Sequence, residues 1–361
     1  MLRIPSGVKL CLKPFLSPLL ARFRTPAPPS DHFSAVITGP GRVQFLEEPP
    51  PRHLEANQIL IENHYTLVSP GTELAIFQKT HVGFSDPTNT YARYPFRPGY
   101  AAVGRVAAKG EDISTFQEGD WLLHTGRHQT CVVQTVEKDN LLPLPPGLDP
   151  QLALFARMAQ ISASAREVSH AQPGSNVIVL GLGLVGNLAA QLFQGLGCTV
   201  LGIDSLAGRC QIANQCGVRT FQPKAPQSVS QICNFLDGAS VGTVIEATGH
   251  PPAIAKALEL VAPGGEVILL GSTRGKVELD FYKLVHSRGV VIRGAHENIL
   301  NRSVTRRREI LAEQLEAIQT GQLKVAPLLS EPLDCRELAL GYRKLVERRA
   351  ETLSVILKWR P

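Results

Sequence analysis

Nowhere in this sequence do two cysteines stand in a Cys-x-x-Cys pair, and the seven present (Cys11, Cys131, Cys198, Cys210, Cys216, Cys233 and Cys335) are odd in number and widely spaced. That pattern favours reduced thiols in a cytoplasmic compartment and argues against a structural zinc site, which needs ligands paired closely along the chain. No apolar run approaches the roughly 20 residues of a membrane-spanning helix, so no membrane span is expected. No segment of about 20 to 50 residues repeats, which excludes a solenoid or propeller. The 37 basic residues outnumber the 31 acidic ones, yet they are scattered and form no aromatic-interleaved stripe, so nucleic acid is not an expected partner. The basic cluster Arg306, Arg307 and Arg308 leads into a helical pattern and reads as a solvated helix end. Acidic residues are missing altogether from the first thirty positions, which hold Arg3, Lys9, Lys13, Arg22 and Arg24. Residues 1–32 therefore read as a basic extension: a disordered tail, an over-long start, or an organelle transit peptide as the alternative to a cytoplasmic location.

What is present is a globular composition, 43% hydrophobic and 19% charged over 361 residues, enough for about two domains. Between residues 33 and 160 the signals are short, β-rich and broken by Gly, Pro and Asp: strands are expected at 34–37, 58–62, 102–106 and 131–136. A helical pattern over 152–168 follows. The texture then changes to alternating strands (176–180, 199–203, 243–247, 266–270, 290–293) and helices (184–195, 207–216, 229–235, 252–260) across 161–300. That alternation predicts a doubly wound parallel α/β sheet. The remainder, 301–361, reads as a helix to about residue 320 and a closing strand at 353–358 that returns to the first domain.

One motif carries chemistry. The apolar strand ending at Leu180 runs into Gly181-Leu182-Gly183-Leu184-Val185-Gly186, from which a helix opens. Gly181 suits the tight turn, Gly183 lets a pyrophosphate approach the backbone, and Gly186 lets helix and strand pack closely. The amides of Leu184 and Val185 open the helix, whose N-terminus favours phosphate. Asp204 ends the next strand, eighteen residues past Gly186, where an acid would hold the ribose hydroxyls of NAD and repel the 2′-phosphate of NADP. Arg209 nearby would soften that preference, and Asp204 also reads as a plain helix cap. Thr248-Gly249 and Gly271-Ser272 follow later strands at their carboxyl ends and are candidates for the same cofactor.

From about Ser34 to Lys358 the sequence resembles the medium-chain dehydrogenase/reductase superfamily, the zinc-type alcohol dehydrogenase-like proteins. The residues that carry the likeness are Pro70-Gly71-Thr72-Glu73, the stretch from Pro98-Gly99-Tyr100 to Val106, Gly119-Asp120, the Gly181 loop with Asp204, Glu246-Ala247-Thr248-Gly249, and the stretch from Pro263 to Gly271. The resemblance implies a Rossmann domain inserted into a GroES-like β-rich substrate domain, with the reaction in the cleft between them. It also implies where zinc ligands would stand, and this chain has Pro70 at the first such position. Gly99, Tyr100 and Ala101 replace the Gly-His-Glu triplet, nothing between Ala156 and Gln160 can ligate, and the four-cysteine loop is missing. In Ser69-Pro70-Gly71-Thr72-Glu73 together with Pro98-Gly99-Tyr100 and Gly104-Arg105-Val106, the sequence resembles most the zinc-free branch that includes bacteriochlorophyllide a dehydrogenase-like proteins, without transfer of the tetrapyrrole substrate. By position, the resemblance offers Tyr100, Thr72 and His128 as catalytic candidates, with Tyr100 as a space-filler and His128 as a satisfied interior residue the plainer alternatives.

The expected activity is zinc-independent hydride transfer between NAD and an alcohol or ketone as small-molecule substrate. The alternatives are an NAD(P)H-dependent enone or quinone reductase and a non-catalytic dinucleotide-binding protein, with a homodimer as one assembly open to any of them.

Overall fold

The computed structural model describes residues 31–49, 51, 53–136, 138, 140–223, 232 and 238–360. The basic extension up to residue 30 and, apart from Ile232, the helix expected over 229–235 lie outside the described residues.

The N-terminal part opens with a hairpin of β1 (Phe33–Gly39) and β2 (Arg42–Glu47). The long strand β3 (Gln58–Val68) follows, its first half alternating between buried and half-exposed residues as a one-sided strand should. The chain continues through α1 (Thr72–Phe77), β4 (Ala102–Lys109), β5 (Trp121–His124), β6 (Cys131–Thr135) and β7 (Leu142–Pro143). Helix α2 (Pro150–Val168) is started by Asp149, whose carboxylate accepts the Gln151 amide proton, with proline at the first helical position. It runs unbroken across Gln160 and Ile161, so a single helix serves both halves of the molecule.

The second unit is built from β8 (Asn176–Leu180), α3 (Leu184–Gly195), β9 (Thr199–Ile203), α4 (Ala207–Gln215), β10 (Arg219–Phe221), β11 (Thr243–Glu246), α5 (Pro251–Leu260), β12 (Glu266–Leu269) and β13 (Val291–Gly294). Among the described residues these strands form a parallel six-stranded sheet in the order β10-β9-β8-β11-β12-β13. This is the doubly wound order, with its switch point between β8 and β11, where ligands bind in open α/β sheets. The central strands are buried on both faces, as parallel strands covered by helices must be. The expected strands are all present to within one residue, and the three-residue edge strand β10 is the addition.

Helix α6 (Val304–Gln319) then packs on α2, and each arginine of the cluster at its start has its own partners: Arg306 pairs with Glu167, Glu309 and Glu313, Arg307 donates to Asn140 and Asn301, and Arg308 donates to the Val136 carbonyl. After β14 (Leu333–Asp334) and α7 (Leu338–Glu347), strand β15 (Val355–Lys358) pairs antiparallel with β3, Val355 opposite Val68. The expected return to the first unit is thus present: β3 is flanked by β15, β4 and β6. One core cluster joins the halves through Leu67, Val103, Leu154, Phe155, Met158, Leu184 and Leu188. The described cysteines, Cys131, Cys198, Cys210, Cys216 and Cys335, are all free. Among the described residues no helix is long and apolar enough to cross a membrane.

Candidate functional site

The glycine loop leaves β8 through Gly181, whose φ of +93° lies in the left-handed region that only glycine enters without strain. Gly183 caps α3 in extended conformation, and a Cβ built there would meet only the Arg209 Nη1 atom, at 3.8 Å. The backbone at this point is open to an approaching group. Gly186 is the opposite case. A Cβ there would fall 1.9 Å from the Gly181 carbonyl oxygen and 3.1 Å from the Ala247 Cβ, so helix and strand touch at that residue. Leu184 turns its side chain into the core and Val185 is half-buried, which leaves their amides, in the unbonded first turn, as what they present at the helix start.

Asp204 follows β9 and is 7% exposed. Its Oδ2 accepts the Leu182 amide at 2.8 Å and its Oδ1 the Leu206 amide at 2.9 Å, so the carboxylate ties the glycine loop to the turn before α4. Arg209 lies across the same carboxylate at 3.5 Å and donates from Nε to the Arg349 carbonyl at 2.9 Å. Loop, acid and arginine therefore share one small region.

Beyond β11 and β12 the two expected turns are in contact. A Cβ on Gly271 would lie 2.3 Å from the Gly249 nitrogen, and one on Gly249 would lie 2.5 Å from the Ser272 carbonyl oxygen. Thr248 and Ser272 are exposed above the strand ends. The organiser is Glu246, fully buried, whose Oε1 accepts the amides of Thr248 at 2.7 Å and Gly249 at 3.1 Å and also the Thr248 hydroxyl. Burial holds the Glu246 carboxyl above its ordinary range, and these hydrogen bonds pull against that. Sequence reasoning used Glu246 only as part of a motif. Its burial in a parallel strand ending on a turn was the available signal.

The catalytic candidates separate on inspection. The Tyr100 hydroxyl is hydrogen-bonded to the Ser69 hydroxyl, not to Thr72, which opens α1 half-buried. His128 does not face a cleft. It is fully buried, with Nδ1 2.8 Å from the Thr66 hydroxyl and Nε2 3.0 Å from Glu73 Oε2. Glu73, also fully buried, accepts in addition the Tyr342 hydroxyl at 2.9 Å and the Ser69 amide at 3.1 Å. Trp359 donates to Thr66 Oγ1 at 2.8 Å. A carboxylate removed from water needs such partners, and His128 is one of them. Both imidazole nitrogens are consumed, so the expectation of a catalytic His128 is corrected to an interior role. Ser69, which was not among the catalytic candidates offered by the sequence, is the hydroxyl that Tyr100 meets.

Two arginines approach the same region. Arg157 of α2, 7% exposed, sets its guanidinium 5.2 Å from the centre of the Tyr100 ring. It pairs with Glu297 at 2.5 Å and donates to Gln160 at 3.0 Å. Arg274, from the loop after β12, donates to the Gly71 carbonyl at 2.8 Å and so links the two units. Burial, then the charge of Glu73, pushes the Tyr100 phenol far above its usual range, opposed by the Ser69 bond and Arg157.

The positions where the resemblance places zinc ligands do not fit that metal. Pro70 and Ala101 carry no donor, the Tyr100 hydroxyl is engaged, and a guanidinium cation stands beside its ring. Among the described residues no group of three His, Cys, Asp or Glu side chains is arranged to hold a metal ion.

Comparison with known proteins agrees with the fold. Residues 185–306 match the zinc-binding dehydrogenase family, a stretch that contains none of the positions just discussed. The D-guloside 3-dehydrogenase of Escherichia coli is 26% identical over 250 residues, which are 64% of this chain and 71% of that protein. The L-threonine 3-dehydrogenase of Bacillus subtilis is 22% identical over 330 residues, 82% of this chain and 90% of that one. The crystal structure of galactitol-1-phosphate dehydrogenase from Escherichia coli superposes with a TM-score of 0.77 at 18% identity, covering 90% of this chain and 99% of that one.

Proposed function

We propose that this chain, an alcohol dehydrogenase-like oxidoreductase of the medium-chain dehydrogenase/zinc-type alcohol dehydrogenase-like superfamily, is a zinc-independent member that moves hydride between NAD and a secondary alcohol or ketone. The observation that carries the reading is the open backbone at Gly183 directly beside the Asp204 carboxylate. A pyrophosphate fits the first and a 2′,3′-diol the second. When bound, the nicotinamide supplies the hydride acceptor or donor. The protein's own part is to hold the dinucleotide with Gly181, Gly183, Leu184, Val185, Gly186 and Asp204. Thr248, Gly249, Gly271 and Ser272 border its far end, and Arg209 braces the acid. At the reacting oxygen, Tyr100 donates the proton in the reductive direction and Ser69, bonded to it, is the next hydroxyl of the relay. Thr72, the first residue of α1, follows Ser69 by three positions and is the remaining hydroxyl candidate. Alcohol and polyol dehydrogenases among the relatives support the substrate class. Asp204 speaks against the enone and quinone reductases that use NADPH.

The test is direct. Fluorescence titration of the purified protein is expected to show NADH binding tighter than NADPH, and turnover on a panel of alcohols, enones and quinones is expected with alcohols only. Asp204→Ala should weaken NADH while leaving or improving NADPH, because ribose hydrogen bonds and repulsion of the 2′-phosphate vanish together. Equal loss for both cofactors would make Asp204 structural, and activity confined to quinones would overturn the substrate class.

Zinc independence has its own measurement. Elemental analysis of the active protein should find well under one zinc per chain, and activity should survive prolonged chelation. One tightly held zinc per chain would refute it.

A further inference from the structure

A phenol that gives its proton to a substrate oxygen becomes, for that moment, a phenolate. The surroundings of Tyr100 are poor for that: the hydroxyl is buried, Glu73 of α1 and Glu297 beyond β13 are both negative neighbours, and Tyr342 of α7 adds a second buried phenol. Against these stand the Ser69 hydrogen bond and one cation, Arg157. The arginine is held for the task. Glu297 takes Nη2 at 2.5 Å and Gln160 takes Nη1 at 3.0 Å, while Gln160 is itself fixed by donating to the Arg307 carbonyl at 2.6 Å. Among the described residues the buried Arg157 Nε has no hydrogen-bond partner. Arg157 also sits next to Ala156, in the stretch where zinc-type relatives are expected to carry their last metal ligand.

We propose that Arg157 is a positioning residue for the reaction: its guanidinium, set against the Tyr100 ring and anchored by Glu297 and Gln160, offsets the negative charge of Glu297 and Glu73 around the phenolate that proton donation leaves. The proton balance is simple. In the reductive direction the carbonyl carbon gains hydride, the carbonyl oxygen takes the Tyr100 proton, and the phenolate left behind is stabilised by Arg157 and recovers a proton through Ser69 from solvent. A cation within a few ångströms of an ionising group lowers its pKa by about one unit or more, and over a ring face the attraction persists for the neutral phenol and so orients it beforehand.

This rests on the reading of Tyr100 as proton donor, and the experiment separates the two. A trifluorotyrosine in place of Tyr100, intrinsically more acidic and visible by fluorine NMR, is titrated in the full chain without substrate. Arg157→Met is expected to raise its pKa by about one unit, and Arg157→Lys to recover part of the shift, with unchanged NADH affinity in both as proof of an intact fold. On an alcohol found by the panel, Arg157→Met should slow single-turnover hydride transfer by up to about tenfold, the rate equivalent of that unit, and should add nothing in a Tyr100→Phe background. An unmoved fluorotyrosine titration overturns the role of Arg157 alone. An equal loss of rate in the Tyr100→Phe background also overturns it, since the arginine would then act without the tyrosine. Full activity of Tyr100→Phe overturns the donor reading itself.

Discussion

Gly186→Ala is expected to weaken NADH binding by about 100-fold or more while leaving the β-rich unit folded. The added methyl would sit 1.9 Å from the Gly181 carbonyl oxygen and 3.1 Å from the Ala247 Cβ, and neither is the end of a flexible side chain. The carbonyl belongs to the loop itself, so relief requires Gly181 or the start of α3 to move by about an ångström. In the proposed binding mode such a movement takes the amides of α3 off the pyrophosphate, an ångström-scale misplacement of the kind that costs about 10²-fold where geometry matters. Overpacking adds roughly 1–3 kcal/mol of destabilisation. The methyl and the Asp204 carboxylate act on different atoms, so NADPH binding should fall equally. Fluorescence titration with both cofactors, beside far-ultraviolet circular dichroism, checks this. Undiminished affinity would mean that the loop does not hold the dinucleotide.

Mild acid is expected to destabilise the protein well before its carboxylates titrate. His124, at the end of β5, is fully buried, and its Nδ1 accepts the Gly126 amide at 3.1 Å while Nε2 has no hydrogen-bond partner among the described residues. Burial pushes its pKa down from 6.5 to about 3. In the unfolded chain the same imidazole protonates near 6.5, so between that pH and about 3 the unfolded state binds a proton that the native state refuses. The contribution of His124 to stability is fully present above 6.5 and is lost as pH falls through the window, by about 1.4 kcal/mol per unit and roughly 5 kcal/mol in all. His64 and His81, both shifted down by burial, work in the same direction. Urea midpoints measured from pH 7 to pH 4 should slide steadily downward. His124→Asn, which keeps an acceptor for Gly126 and cannot ionise, should flatten most of that slope. A wild-type protein equally stable at pH 7 and pH 5 would contradict the argument.

The Rossmann half was legible because its signals are local. Strand, Gly-rich turn and helix follow one another within twenty residues, and α3 (Leu184–Gly195) begins and ends where its periodicity says. The edge strand β10 escaped because three residues, Arg219–Phe221, carry too short a pattern. The candidate catalytic region was legible only in part, since its contacts join residues far apart in the chain. Ser69 meets Tyr100 across 31 positions, Tyr342 meets Glu73 across 269, and Arg157 meets Glu297 across 140. No spacing rule reaches that far. His128 shows the converse error: its place in the sequence suggested a cleft, but a buried carboxylate 55 residues away had first claim on its imidazole.

The return of the chain to β3 also sets an order of events in biosynthesis. All six strands of the parallel sheet lie between residues 176 and 294, so that sheet can close as soon as they have left the ribosome. The first unit must wait. Strand β3 lacks its β15 neighbour, Glu73 lacks the Tyr342 hydroxyl and Thr66 lacks the Trp359 indole until residues 342–359 have been made. Residues translated first therefore finish folding last, and through the interval β3 keeps an exposed edge while the Glu73 carboxylate lies open to water.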